Sequence, residues 1–237
     1  MFKLTLKKIL KLFGWKLIKK QKNLYYNLIT PNNNILDTLK NCKGILHIGA
    51  HRAQEAPIYN WFGKRVIWVE ANPFIFDDLK DEIKKYSYQK AYLELLSNES
   101  CLIKNFFLSN NDYASSSIYE FGKLSEGPES LWPSKNLKMI KKIKLKTITF
   151  DDFVKKYKID LTDFDHWVID IQGAELNFLN GAIKNIHFCK SMLIEISKGD
   201  VYKKGSNWND VKFFLEKNFF KAQSEPKSDH SDILFLK

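Results

Sequence analysis

The 237 residues suffice for one α/β domain with an appendage and are too few for two large domains. A hydrophobic content of 44% excludes a disordered chain, and three scattered cysteines without a C-x-x-C pair exclude a disulfide framework and indicate a reducing, cytoplasmic compartment. The net charge of +11 is concentrated in residues 1–36, which hold eight lysines and no acid, so the near-neutral remainder excludes a broad nucleic-acid-binding face.

Residues 2–20 are predicted to form a basic amphipathic helix, because apolar residues recur at helical spacing and most lysines fall on the other face. Lysines interrupt the apolar residues too often for a membrane-spanning helix or a secretion signal. Two interpretations stay open. The helix lies on an anionic membrane surface as a peripheral contact, or it packs on the body or on a partner chain. Turn-forming residues at 23–34 then predict an extension over residues 1–37 and a folded domain over 38–237.

The segment 43–73 reads as strand, turn, helix, strand and acid. Two short apolar runs, 45–48 and 66–69, suit parallel strands that are covered on both faces. Gly49 at the first strand tip lets the backbone approach a ligand, and the Glu70 carboxylate at the second can accept hydrogen bonds from two ribose hydroxyls. Because the further glycines of a dinucleotide site are missing, the pattern favours a nucleoside cofactor without phosphate, such as S-adenosylmethionine.

Strands and helices alternate over the rest of the chain, which predicts right-handed crossovers and a mostly parallel sheet with helices on both faces. The strand predicted at 91–96 ends at Ser97, which we expect beside the other two strand tips, bordering an adenine ring. Further apolar runs predict strands at 101–108, 143–149, 167–169, 191–196 and 233–236.

Residues 109–142 form a long insert without periodicity. It carries the aromatic residues Tyr113, Tyr119, Phe121 and Trp132 among small polar residues. Segments of this length inside a compact domain are usually functional lids. Aromatic surfaces mixed with Ser and Asn suit a hydroxyl-rich acceptor such as a sugar, although they also suit packing contacts, and we predict that this insert contributes to an acceptor site.

The segment 166–175 is the second dense motif. Asp170 ends its predicted strand, and Gly173 permits a tight turn into a helix. A carboxylate at a strand end faces the same crevice as Glu70. Asp170 is therefore the first candidate for a base that shares the proton of an acceptor hydroxyl, the alternative being a helix-capping aspartate.

His230, just before the last predicted strand, is the second catalytic candidate, and Glu175 and Glu195 are weaker ones. Hard oxygen ligands suit Mg²⁺. Asp170 and Glu195, with His230 or Asp232, are therefore a metal set that the spacing allows and does not demand. Three further histidines are interpreted as core or surface residues: His47, His166 and His187.

Together these segments resemble the FkbM family of S-adenosylmethionine-dependent methyltransferases. The resemblance covers residues 44–236 and is carried by LHIGAHRAQEA (46–56), WVEANP (68–73), the serines at 115–117, KTITFDDF (146–153), VIDIQGAELNFLNGA (168–182), IEIS (194–197) and DILF (232–235). It implies a Rossmann-like class I methyltransferase fold with a seven-stranded sheet. It also implies O-methylation, commonly of sugars in surface glycans or of secondary metabolites.

The resemblance assigns roles to individual residues. It implies that Gly49 and Ala50 lie under the amino-acid part of the cofactor, that Glu70 holds the ribose and that Ser97 borders the adenine. Asp170 would face the sulfonium and the acceptor. The remaining cofactor candidates are His51, Glu55 and Asn72. Two positions depart from the family pattern: Ala53, where glycine is more usual, and His51, where asparagine is common.

Three functions are compatible with these residues. The first is O-methylation of a hydroxyl on a sugar or glycan by a cytoplasmic enzyme that is peripheral at the inner face of the membrane. The second is a non-catalytic membrane-surface component of a glycan-assembly complex. An RNA methyltransferase is the third, and methylation of a base amine is disfavoured because residues 170–173 lack the two prolines of an Asn/Asp-Pro-Pro-Tyr turn. We expect no specific nucleic-acid partner, and the oligomeric state is left open.

Overall fold

A computed structural model of the chain describes residues 35–123, 136–197, 199–227 and 230–237. The amphipathic helix predicted at 2–20 and Trp132 of the insert lie outside these ranges. The helices and strands are α1 (Ile35–Asn41), β1 (Gly44–Ile48), α2 (Ala56–Trp61), β2 (Arg65–Glu70), α3 (Phe76–Ile83), β3 (Gln89–Leu93), β4 (Leu95–Leu96), β5 (Ile103–Ser109), β6 (Met139–Ile148), α4 (Phe150–Tyr157), β7 (His166–Ile169), α5 (Glu175–Gly181), β8 (Ser191–Ser197), α6 (Trp208–Lys217), β9 (Lys221–Ala222) and β10 (His230–Leu236).

The main sheet has seven strands in the order β3-β2-β1-β7-β8-β10-β9. The pairs from β3 to β8 are all parallel, and β10 runs antiparallel to both of its neighbours. Ile48 at the end of β1 pairs with Val69 of β2 and with Ile169 of β7, so these strands end level with one another. The strand order reverses between β1 and β7, which is where open α/β sheets form ligand crevices. The predicted Rossmann-like, mostly parallel seven-stranded sheet is confirmed.

Helices cover both faces of the sheet, because alternate residues of each strand point to opposite faces. On one face, side chains such as Leu46 and Trp167 pack with Phe178 of α5 and with buried apolar residues of α4 and α6. On the opposite face, Ile45 and Trp68 pack with α1, α2 and α3. The whole of β1 is buried, as expected for a central parallel strand.

A second sheet of three strands, in the order β4-β6-β5, was not expected as a separate layer. The single strand predicted at 91–96 is wrong. Its first part is β3 of the main sheet, whereas Leu95 and Leu96 form β4 and pair with the end of β6. Glu94 separates the two parts. Its carboxylate accepts hydrogen bonds from Tyr157 Oη (2.6 Å) and Lys156 Nζ (2.5 Å), and these bonds hold the chain where it passes from one sheet to the other.

The insert predicted at 109–142 is shorter than expected, because β5 extends to Ser109 and β6 begins at Met139. Its described part is also packed. Phe121 and Leu137 are buried against Val201 and Tyr202 in a small core of their own, so Phe121 is a packing residue and does not face an acceptor.

The described residues all belong to one compact unit, and the predicted domain boundary after residue 37 falls inside α1. Within the described ranges, no helix has the length and apolar character needed to cross a membrane.

Candidate functional site

A cavity of about 350 Å³ opens at the carboxyl ends of β1, β2 and β7, next to the point where the strand order reverses. The strand ends contribute residues 47–51, 69–71 and 170–172, the second sheet contributes Leu95, Leu96 and Phe106, and the insert contributes Tyr113 and Ser116. Its volume lies within the range of small-molecule sites. The predicted candidates Gly49, Ala50, His51, Glu55, Glu70 and Asp170 all line it.

The loop after β1 has an unusual backbone. Gly49, His51 and Ala53 have positive φ angles of 85°, 46° and 54°. A Cβ on Gly49 would lie 1.7 Å from the carbonyl oxygen of Asp170. Glycine is therefore required both by the neighbouring strand and by the backbone conformation. These two requirements are stricter than the close approach of a ligand that was predicted from the sequence. Ala53 adopts the left-handed conformation that glycine accommodates better, which accounts for the glycine expected at that position.

Glu70 is held by two backbone amides. Its Oε2 accepts a hydrogen bond from His51 N and its Oε1 accepts one from Asn72 N, both at 2.7 Å. The carboxyl group is 7% exposed, and its burial raises its pKa against the opposing effect of these amides. Each oxygen has a second lone pair directed elsewhere. The group can therefore bind two neighbouring hydroxyls without releasing either backbone bond.

Asn72 supports Glu70 and does not line the cavity. Its side-chain oxygen accepts a hydrogen bond from Phe74 N (3.0 Å), and among the described residues its buried Nδ2 has no hydrogen-bond partner.

The adenine contact predicted for Ser97 does not match its position. Ser97 is fully buried outside the cavity lining, and its Oγ accepts a hydrogen bond from Lys104 Nζ (2.9 Å) and donates one to Asn98 Oδ1 (3.1 Å). The physical reason is the turn of the chain into the second sheet, which presents Leu95 and Leu96 to the cavity in its place.

His51 connects the loop after β1 to the insert. The amide of Gln54 donates to His51 Nδ1 (2.7 Å), which leaves the Nε2 proton to be donated to Asp112 O (2.8 Å). His47, predicted to be a core or surface residue, is buried and stacked on Trp68 at 4.8 Å, and it also lines the cavity. Burial lowers the pKa of His47 to about 3, so this imidazole is neutral.

Asp170, at the end of β7, lies beside Glu195 of β8. The side-chain nitrogen of Gln172 donates to Asp170 Oδ1 and to Glu195 Oε2, each at 2.5 Å. Burial and the neighbouring Glu195 raise the pKa of Asp170 well above its usual value, and burial raises the pKa of Glu195 to about 7. Tyr202 donates its hydroxyl proton to the side-chain oxygen of Gln172. Gln172 and Tyr202 were not predicted from the sequence. The related signal in the sequence is Gly173, because a Cβ at this residue would lie 3.0 Å from Tyr202.

His230 does not line the cavity, so the direct catalytic role predicted for it is not supported. It lies on β10, and its Nδ1 is 3.2 Å from Glu195 Oε1, a carboxylate that does not line the cavity either.

The Mg²⁺ set is not assembled either. Within the described ranges no group of three or more His, Cys, Asp or Glu residues is arranged to hold a metal. Instead, the Gln172 amide donates to one carboxylate oxygen of Asp170 and to one of Glu195.

The chain matches the family model of the methyltransferase FkbM domain over residues 47–222. Fibrillarin from Aeropyrum pernix with natively bound S-adenosyl-L-methionine is 14% identical with a TM-score of 0.47, over 84% of this chain and 68% of that chain. Magnesium protoporphyrin IX methyltransferase from Synechocystis PCC 6803 is 9% identical with a TM-score of 0.42, over 98% and 91%. The bifunctional kinase-methyltransferase WbdD is 8% identical with a TM-score of 0.48, over 96% of this chain and 42% of that one. No curated protein sequence matches.

The contact between Gly49 and Asp170 can be tested by substitution. Gly49→Ala is expected to lower the free energy of unfolding by more than about 4 kcal/mol, because the added methyl group meets a backbone oxygen that cannot move independently of β7. Gly63→Ala is the matched control, since Gly63 also has a positive φ of 64° but has no atom within 4 Å of the added Cβ. It should cost about 1–2 kcal/mol. Equal losses in urea denaturation would contradict the contact.

Glu175 gives the fold a pH dependence. It is 2% exposed, its Oε1 accepts a hydrogen bond from Gly173 N (2.9 Å), and burial raises its pKa from 4.5 to about 7. Between these values the folded state keeps a proton that the unfolded chain releases, so stability falls as the pH rises through this window. Glu175→Gln should stabilise the domain at pH 8 by up to about 3 kcal/mol and have little effect at pH 4. Urea denaturation at both pH values checks this, and the exposed Glu216→Gln should show no such difference.

Proposed function

Because the chain belongs to the FkbM methyltransferase family and is an S-adenosylmethionine-dependent methyltransferase, we propose that it transfers the methyl group to a hydroxyl of a sugar or glycan. The observation that carries this proposal is that Glu70 and Asp170, from the strands on either side of β1, line one cavity. The Glu70 carboxylate is suited to bind the hydroxyls of a ribose, and the Asp170 carboxylate is suited to accept a proton.

The cavity residues fit the cofactor. Glu70 offers two free lone pairs to the ribose hydroxyls, Gly49 and Ala50 are placed for its amino-acid part, and the apolar surface of Leu95 and Leu96 suits the adenine. Bound there, S-adenosylmethionine supplies a methyl group on a positively charged sulfur. Carboxylates among the lining residues favour that charge.

The charge of the cavity also bears on the acceptor. Among its described lining residues are Glu55, Glu70, Glu94 and Asp170, and none is Lys or Arg. A phosphate group would meet repulsion there, which disfavours an RNA acceptor, whereas an uncharged sugar hydroxyl would not. Tyr113 and Ser116 of the insert offer an aromatic surface and a hydroxyl to such an acceptor.

Asp170 is the residue placed to share the proton of the acceptor hydroxyl. An alcohol is a weak nucleophile until a base is within hydrogen-bond reach, and a base is most effective when its pKa is near the working pH. The raised pKa of Asp170 moves this carboxyl in that direction. Holding the hydroxyl at the correct distance from the methyl carbon supplies the rest of the rate enhancement.

The peripheral membrane contact of residues 2–20 and the cytoplasmic location remain predictions, because those residues lie outside the described ranges.

Cofactor binding tests the first half of the proposal. Glu70→Gln replaces one acceptor oxygen by a donor that faces a backbone N–H, so the Kd for S-adenosylmethionine should rise about 10–100-fold. Isothermal titration calorimetry measures this. Glu82→Gln on α3, where the glutamate pairs with Lys85, is the matched control and should bind as the wild type does. A wild-type chain that does not bind would support the non-catalytic alternative.

Methyl transfer tests the second half. With isotopically labelled methyl donor and a panel of nucleotide sugars, lipid-linked sugars, surface glycans and RNA, we expect transfer to a sugar hydroxyl. Asp170→Asn should lower kcat by about 10²–10⁴-fold and leave cofactor binding within about tenfold. The wild-type rate should rise with pH, because only the ionised acid pair accepts a proton. Transfer to RNA alone would overturn the sugar assignment.

A further inference from the structure

Gln172 uses every hydrogen-bonding group of its side chain within the protein. It is 8% exposed, and its φ of 57° lies in the left-handed region. Its amide nitrogen donates to Asp170 and Glu195, its amide oxygen accepts from Tyr202, and its backbone oxygen accepts from Ser117 Oγ (2.7 Å). No role was predicted for this residue, yet its amide nitrogen contacts both carboxyl groups.

The orientation of this amide is fixed by chemistry. Rotation by half a turn would place the amide oxygen against two carboxyl groups and the amide nitrogen against the tyrosine hydroxyl. The tyrosine hydroxyl can donate or accept, but an amide oxygen facing two carboxyl groups is unfavourable, so the carboxyl groups select the orientation in which the nitrogen faces them. In that orientation Tyr202 donates to the amide oxygen and so holds the amide of Gln172 in place.

Tyr202 is itself held rigidly. It is 3% exposed, its hydroxyl lies 3.3 Å from Ser115 O, and its ring centroid lies 5.6 Å from that of Phe121. Gly173 provides the space for its ring, since a Cβ there would be 3.0 Å from three of its atoms. The orientation imposed on Gln172 is therefore supported by the packed part of the insert.

The two carboxyl groups differ in their access to the cavity. Asp170 lines it, whereas Glu195 lies behind and does not. Both carboxyl groups accept from the side-chain nitrogen of Gln172, so they lie side by side. Burial raises the pKa of each, and the neighbouring Glu195 also raises that of Asp170, so the pair retains a proton. An arriving proton can therefore be accommodated if Asp170 passes its own proton to Glu195.

On the basis of the proposed function, we propose that Gln172 is a positioning residue that aligns Asp170 with Glu195, so that a proton arriving from the acceptor hydroxyl at Asp170 is matched by one passing to Glu195. The step balances. The O–H bond of the acceptor breaks, its oxygen forms a bond to the methyl carbon, and the electron pair of the S–C bond stays on sulfur. The released proton remains on the acid pair.

Other charged groups face this pair from every packed element. Glu175 of α5 and Asp232 of β10 add negative charge, and His230 Nδ1 of β10 lies 3.2 Å from Glu195 Oε1. None of these groups is substituted in the Gln172 and Tyr202 variants, so we expect a change in the titration of the pair to report on the amide.

The test is the titration of the carboxyl carbons of residues 170 and 195, followed by nuclear magnetic resonance in the full chain labelled with ¹³C. Asp170→Asn and Glu195→Gln assign the two signals. In the wild type we expect two coupled steps separated by more than about one pH unit. Gln172→Met keeps the side-chain length and removes the donor, so the carboxyl groups can separate and the two steps should move to less than about one unit apart.

Tyr202→Phe should reduce the separation by a smaller amount, because the amide keeps its two donor bonds and loses only the hydrogen bond that holds its oxygen. This variant decides the matter if Gln172→Met does not fold. Gln223→Met is the control. The side chain of Gln223, just after β9, donates to Lys221 O (3.0 Å) and contacts neither carboxyl group, so the titration curve of this variant should match the wild type. An unchanged separation in both test variants overturns the proposal, including when their thermal stability falls.

Calorimetry with S-adenosylmethionine on the same wild-type sample separates this inference from the proposed function. A chain that does not bind but shows the expected titrations loses the proposed function and keeps the alignment. A chain that binds and shows unchanged titrations in the variants keeps the function and loses the alignment.

Discussion

The contact between the ends of β1 and β7 is the constraint on which the site depends. Asp170 N donates to Ile48 O (2.9 Å), and the carbonyl oxygen of Asp170 occupies the space that a side chain at residue 49 would need. The two strands therefore end level, and the loop after β1 turns back towards β2 with three positive φ angles. That turn brings His51 N to the carboxylate of Glu70. The positions of Glu70 and Asp170 therefore both depend on the contact between the ends of β1 and β7.

Short-range patterns were enough to predict the parts of this site that lie at strand ends. An apolar run that stops at Gly49, Glu70 or Asp170 identifies a strand tip, and the tips of neighbouring parallel strands lie together whatever the rest of the fold does. The main sheet followed from the same signal. The chemistry at those tips could therefore be anticipated before any tertiary contact was known.

Other features depend on contacts between residues that are distant in the chain. Ser97 was misplaced because Leu95 and Leu96 pair with β6, about 50 residues later, which no local pattern records. Tyr202 lies 30 residues from Gln172, and its importance follows only from the hydrogen bond between them. His230 was judged by its residue type, whereas β10 places it behind Glu195 and away from the cavity.

The carboxylates around the cavity are compensated to different degrees. Glu70 receives two backbone N–H groups, and Glu94 receives Lys156 and Tyr157. The pair formed by Asp170 and Glu195 shares the donors of one uncharged amide, and His230 Nδ1 lies 3.2 Å from Glu195. Burying a negative charge costs free energy and so raises the pKa of the carboxyl group. Raised pKa values of this kind are frequent among residues that exchange protons during a reaction.

The same pair is connected to the wall of the cavity. Tyr202 contacts Gln172 on one side and the carbonyl of Ser115 on the other, and Ser115 lies between Ala114 and Ser116, which line the cavity. A molecule that displaces this wall would also disturb the amide that orients the acid pair. Small displacements of reacting groups lower reaction rates steeply. The insert can therefore select an acceptor in two ways, by contacting it directly and by setting the position of Asp170.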